Sequence, residues 1–288
     1  MNILVTGVNG QLGKELHKLL HNNEQFNTLF TDVDTLDITD NDAVKKIVVD
    51  NNINIIINCA AYTSVDSAED NYDICNKINN TAVENLANAA KEANAKLIHI
   101  STDYVFNGMA CSPYKESDMV APCSVYGLTK LAGEKVITEI IPHNHIIIRT
   151  SWLYSIHGKN FVKTMLNYGK IKENLNVVYD QIGTPTYAGD LADVIYTIIT
   201  CGKWIPGIYH FSNEGVCSWF DFTKMIFKLA GITSCNVIPI NTEEYPVKAK
   251  RPAYSVLDKR KIKQTFGISV PYWTDSLEKC INELITQN

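Results

Sequence analysis

The opening of the chain constrains its fold most. The apolar run Asn2 to Thr6 passes directly into Gly7-Val8-Asn9-Gly10-Gln11-Leu12-Gly13, and the helical spacing of Leu12, Leu16, Leu19 and Leu20 follows. A buried strand, a glycine loop and an amphipathic helix in that order begin a βαβ unit. Glycines allow a tight turn and a close backbone approach to a ligand. The helix start offers free N–H groups and the positive end of a dipole, which suits a pyrophosphate. The spacing is GxxGxxG, so the position of the loop carries more weight than its three glycines.

The pattern continues in the same sense. Thr28 to Thr31, Asn54 to Asn58, Leu97 to Ser101 and Ile146 to Arg149 read as further strands, ending near Asp32, Cys59, Thr102 and Ser151. Helical segments separate them: one beginning at Asp37 to Asp42 with Asp40 as a cap, then Thr81 to Ala93 and Ser124 to Ile140. Continuous apolar strands alternating with helices predict an α/β fold with a doubly wound parallel sheet. Beyond Ser151 the pattern loosens into Val177 to Tyr179 and Tyr209 to Phe211 as strands, with helices at 190–200, 219–230 and 277–285. Residues 236–257 read as irregular. The expected organisation is a dinucleotide-binding domain over 1–150, rejoined by about 177–212, with a smaller interleaved C-terminal lobe from 151–176 and 213–288.

Composition narrows the partners. A net charge of −5 argues against nucleic acid or an anionic membrane. No apolar run approaches the length of a membrane span. Eight scattered cysteines without a CxxC pair read as reduced, mostly buried thiols. The start MNILVTG has no basic n-region, so the expectation is a cytoplasmic protein.

Asp32 stands at the end of the second strand, where a carboxylate would bind the ribose hydroxyls of NAD and repel a 2′-phosphate. This favours NADH over NADPH. Ala60 and Ala61, after the third strand, are small enough for a cofactor to lie across them. Tyr126 and Lys130 share one helix face, one turn apart. An ammonium near a phenol stabilises the phenolate, so Tyr126 could protonate a carbonyl oxygen as hydride arrives. A second pair, Tyr168 and Lys172, lies past the sheet and reads as structural. Ser101 and Thr102 end the fourth strand, and alternation lets only one face the site.

Taken together, Gly7 to Gly13, Asn58 to Ala61, Ser101 to Phe106 and Tyr126 to Lys130 resemble the extended short-chain dehydrogenases. Arg149 to Trp152, Asn160-Phe161, Asp180 to Thr186 and Arg251-Pro252 extend the likeness to the dTDP-4-dehydrorhamnose reductase family, over nearly the whole chain. The resemblance implies reduction of the 4-keto group of dTDP-4-dehydro-L-rhamnose, with Tyr126, Lys130 and Thr102 catalytic. It places Gly10, Gln11, Leu12, Asp32, Asp37 and Ile38 along the adenosine half of NADH or NADPH, beside Gly7 and Gly13 of the glycine loop. Ala61, Tyr62 and Thr63 fall near the nicotinamide half. Asp103 and Trp152 would touch the nucleotide sugar. Tyr62 stands where the family often has histidine. The resemblance further implies a homodimer and Mg²⁺ near Glu15, Asp190 and Glu283.

Of 26 basic residues only three are arginines, and Arg251 lies in a Pro-flanked late loop. Its planar fork suits a substrate diphosphate, the competing role being a surface ion pair. Arg149 ends a buried strand and reads as an internal brace. Two other readings stand beside the reductase. One is a sugar-nucleotide dehydratase or epimerase, against which Asp103-Tyr104 lacks the second carboxylate a dehydratase needs. The other is a non-catalytic, cofactor-binding regulatory subunit like that of methionine adenosyltransferase.

Overall fold

The computed structural model describes residues 1–286. Five strands, β1 (Asn2–Thr6), β2 (Asn27–Thr31), β3 (Ile55–Asn58), β4 (Lys96–Thr102) and β5 (His145–Thr150), join β6 (Gly207–His210) in one sheet. Its order is β6-β5-β4-β3-β1-β2 and every pairing is parallel. The strand order reverses between β1 and β3, and α/β sheets open a crevice for ligands beyond the strand ends at such a point.

Helices cover both faces, because alternation divides each buried strand between them. Ile3 and Val5 enter one core cluster, with α1 (Gln11–Leu20) and the later helix Ala188–Thr200. Leu4 enters the other, with α2 (Asn41–Asp50), α3 (Ala82–Glu92) and α4 (Val125–Ile140). Asp40 caps α2 by accepting from the backbone N–H groups of Asp42 and Ala43.

A third core gathers Tyr154, Val162, Met165, Phe222, Phe227 and Leu277 into a smaller lobe. Here the expectation needs correction in two places. The strand foreseen at 177–179 spans Asn174–Val178 and pairs with Asn236–Ile240, inside the stretch read as irregular, rather than with the central sheet. Residues 260–266, expected in the small lobe, form a helix, Arg260–Phe266, that buries Ile262 and Phe266 in the first core beside Ile3 and Val5. The thiols are free, but Cys111 and Cys123 are exposed, so burial holds for only some of them. Among the described residues no helix is long and apolar enough to cross a membrane.

Candidate active site

The glycine loop turns at Gly7, whose φ of +70° favours a residue without a side chain. A Cβ there would come within 2.6 Å of the Ala60 nitrogen, and one on Gly13 within 2.3 Å of the Gly7 oxygen. The loop is therefore pressed against the end of β3. α1 starts at Gln11 with no side-chain cap, leaving N–H groups for an anion. Beyond the ends of β1, β2 and β3 opens a cleft of about 500 Å³, lined by Gly7, Gly10, Asp32, Asp37, Ile38, Ala60 and Ala61, with Lys77 as the cation in its wall. A dinucleotide fits this chemistry.

Other expected cofactor residues stand differently. Leu12 is buried in the first core, so only its backbone can face a phosphate. Gln11 turns to the small lobe, where its Oε1 accepts from Asn160 at 3.0 Å. Tyr62 and Thr63 do not line the cleft. Tyr62 is held by its backbone instead: Asn79 accepts from its N–H at 2.9 Å and donates to its carbonyl at 3.1 Å. Asn79 is fully buried in a π-helical turn, Lys77–Thr81, a widened geometry frequent at functional sites. Asp32 accepts from the N–H groups of Asn9 and Val33, both at 2.8 Å. The N–H of Thr39 holds the exposed Asp37 carboxyl below its usual range.

Ser124 caps α4, accepting from Gly127 N–H at 3.2 Å. A Cβ on Gly127 would lie 2.2 Å from the Tyr104 oxygen, so this glycine lets α4 press its first turn onto the end of β4. Tyr126 consequently lies edge-on to Tyr104, ring centroids 5.5 Å apart, with the Thr102 hydroxyl near enough to favour its phenolate. Burial pushes the Tyr126 phenol above its usual range. The choice left open at the end of β4 resolves. Ser101 donates to Glu134 at 2.5 Å, away from the site, and Thr102 faces Tyr126. Thr102 also donates to Asp103 at 3.0 Å, and burial raises the Asp103 carboxyl to about 6.

Lys130 has buried partners of its own. It is 1% exposed and donates to the Ile100 carbonyl at 2.6 Å, with His99 Nε2 at 3.1 Å. Neither partner is Tyr126. Burial pushes Lys130 down to about 8.

On the small-lobe side a cleft of about 850 Å³ is lined by Phe161, Tyr168, Gln181, Trp219, Tyr245 and Arg251. Trp152, at φ +48°, stacks on Trp219 with centroids 3.5 Å apart. Arg251 lines the cleft and donates to Asp66 at 2.7 Å, so ion pairing and a cleft-facing position coexist. Lys248 similarly pairs with Asp70. Lys172 lies over the Tyr168 ring, 4.3 Å from its centroid. Arg149 is the expected brace, bonding Glu134 at 2.9 and 2.7 Å.

The three acids foreseen for Mg²⁺ do not form a ligand set. Asp190 accepts from Asn213 and Ser276, and among the described residues no three acidic, His or Cys side chains gather with metal-site spacing. Burial, with Glu283 nearby, raises the Glu15 carboxyl.

Asn79, His99 and Tyr104 were not singled out by sequence reasoning. For His99 the available signal was a histidine inside the apolar run Leu97 to Ile100.

Comparison with known proteins gives one consistent result. The family model described as RmlD substrate binding domain matches residues 1–286. A dTDP-4-dehydrorhamnose reductase of Aggregatibacter actinomycetemcomitans is 45% identical over 96% of this chain and 97% of its own. The crystal structure of a dTDP-4-dehydrorhamnose reductase from Clostridium acetobutylicum superposes with a TM-score of 0.95 at 46% identity, covering 99% of this chain and 100% of that one. That of the Bacillus anthracis dTDP-4-dehydrorhamnose reductase, in complex with NADP, gives 0.93 at 43% identity, covering 98% and 99%.

Proposed function

From the premise that this chain belongs to the RmlD substrate binding domain family, we propose that it is a dTDP-4-dehydrorhamnose reductase, reducing the 4-keto group of dTDP-4-dehydro-L-rhamnose to give dTDP-L-rhamnose. The observation that carries the reading is the meeting of Thr102 and Tyr126 at the end of β4, beside a cleft built for a dinucleotide.

When bound, the nicotinamide cofactor supplies the hydride that adds to C4. Thr102 hydrogen-bonds the carbonyl oxygen and polarises it. Tyr126 donates its phenolic proton to the same oxygen, so that no free alkoxide forms. Lys130 is the partner of Tyr126 and of the nicotinamide ribose. Gly7, Gly10, Ala60 and Ala61 let the dinucleotide lie close, and the uncapped start of α1 receives its pyrophosphate. Asp103 and Trp152 meet the sugar. Phe161 and Trp219 offer faces to the base, and Arg251 exchanges Asp66 for the diphosphate. Asp32 binds the adenosine ribose and favours NADH. Lys77 supplies a cation in the same cleft, so NADPH also enters, with the higher KM.

The test follows absorbance of NADH, then NADPH, with enzymatically made dTDP-4-dehydro-L-rhamnose. Turnover with either, lost in Tyr126→Phe, is expected. Dinucleotide binding without turnover would overturn the substrate assignment.

A further inference from the structure

The buried contact between His99 and Lys130 has a proton logic fixed by its neighbours. Asn58 Oδ1 accepts from Thr6 Oγ1 at 2.7 Å and from the Ala60 N–H at 3.1 Å. A backbone N–H is always a donor, so the amide orientation of Asn58 is determined. Its Nδ2 therefore donates to His99 Nδ1, 3.0 Å away. A neutral imidazole that accepts at Nδ1 carries its proton on Nε2. That Nε2–H faces Lys130 Nζ at 3.1 Å. An ammonium has no lone pair to accept it, whereas a free amine does, and it can still donate to the Ile100 carbonyl.

We infer that His99 is a positioning residue whose Nε2–H holds Lys130 as a free amine, and that Lys130 takes up one proton when it turns to a bound dinucleotide. The surroundings agree. His99 and Lys130 are 0% and 1% exposed. Burial keeps His99 well below its usual range, so it stays neutral and does not compete for the proton. The other titratable groups facing Lys130 are Glu134 on its own helix and the thiols of Cys59 and Cys75. Glu134 is closed by Arg149 and Ser101. Burial pushes Cys59 up to about 12 and raises Cys75, so both remain thiols. The proton comes from solvent and converts amine to ammonium, the form that supports the Tyr126 phenolate.

The inference rests on the reductase reading only for its cofactor class. It is tested by calorimetric titration of the full chain with NADH and NADPH, in buffers of unlike ionisation enthalpy, from about pH 7 to about pH 9.5. Proton uptake per dinucleotide should rise as the pH passes through about 8 and approach one. Using both dinucleotides separates this uptake from any proton on the 2′-phosphate. Lys130→Met should bind without this uptake. In His99→Gln the amide carbonyl can accept from an ammonium, so the rise should move to higher pH. Binding without uptake in the unaltered chain, or undiminished uptake in Lys130→Met, overturns the inference and leaves the reductase reading standing. No binding of either dinucleotide overturns both.

Discussion

Ser101 and Thr102 are neighbours on β4, yet their hydroxyls serve opposite faces: Ser101 donates to the buried Glu134 at 2.5 Å, and Thr102 lies by Tyr126 at the end of the strand. The two substitutions should therefore separate cleanly. Thr102→Val removes a donor at the developing oxyanion and should lower kcat by about 10²–10³, with a stability loss of roughly 1–2 kcal/mol from its bonds to Asp103 and the Tyr104 N–H. Ser101→Ala should cost roughly 1 kcal/mol of stability with kcat nearly unchanged. Steady-state kinetics and urea titration of both variants check this; equal kcat losses would contradict the assignment.

The same glutamate anchors Arg149, and both residues are 2% exposed. Removing one partner leaves a charge buried and unpaired. Glu134→Ala should lose about 3–5 kcal/mol. The pair replaced together by Leu and Met should recover much of that loss. Urea midpoints of the single and double variants measure it.

Asp103 sets a pH dependence. Burial raises its carboxyl to about 6, above its unfolded value. The folded state thus binds the proton more tightly than the unfolded chain. The associated stability is whole below about pH 4 and is lost as pH rises through about 6, roughly 2–3 kcal/mol in all. Asp103→Asn should stabilise the protein at about pH 7.5 and change little at about pH 4.5. If Asp103 meets the sugar, the same variant loses turnover. A urea midpoint unchanged at the higher pH would show that the carboxylate is not destabilising.

Gly7→Ala should weaken dinucleotide binding by at least about tenfold and lower Tm, since the backbone at φ +70° and the Ala60 nitrogen both oppose a Cβ. Gly231 is a control: its φ is +65°, but nothing lies within 4 Å of where a Cβ would stand. Gly231→Ala should carry the backbone strain alone and leave binding intact. Calorimetry on both separates the effects.

Much of this was legible in the chain. The central strands are apolar on both faces, so Ile3 to Val5 and Ile55 to Ile57 announce themselves without long-range information. The glycine loop and the Asp40 and Ser124 caps are local chemistry, readable from adjacent residues. Two-residue strands such as Ile182–Gly183 and Cys217–Ser218 carry no period to detect. The pairing of 174–178 with 236–240 depends on chain far away in sequence. His99 looks like any buried polar residue until Asn58 and Lys130 are brought to its two nitrogens. Helical spacing gives Tyr126 and Lys130 a shared face but not the end point of a long side chain, which here reaches His99 and the Ile100 carbonyl. The acids Glu15, Asp190 and Glu283 came from family likeness alone, and Asp190 is instead engaged by Asn213 and Ser276.

Ile262 and Phe266 pack in the cluster that holds Ile3 and Val5. During synthesis, then, the first strand leaves the ribosome long before its covering helix exists. A parallel sheet adds to the delay, because each crossover must form before the next strand can pair. The nascent chain keeps part of that apolar sheet face uncovered until nearly its last helix has emerged. Truncation ahead of residue 260 should thus give aggregation rather than a smaller folded protein, and chaperone demand should track the late C-terminal segment more than the opening domain.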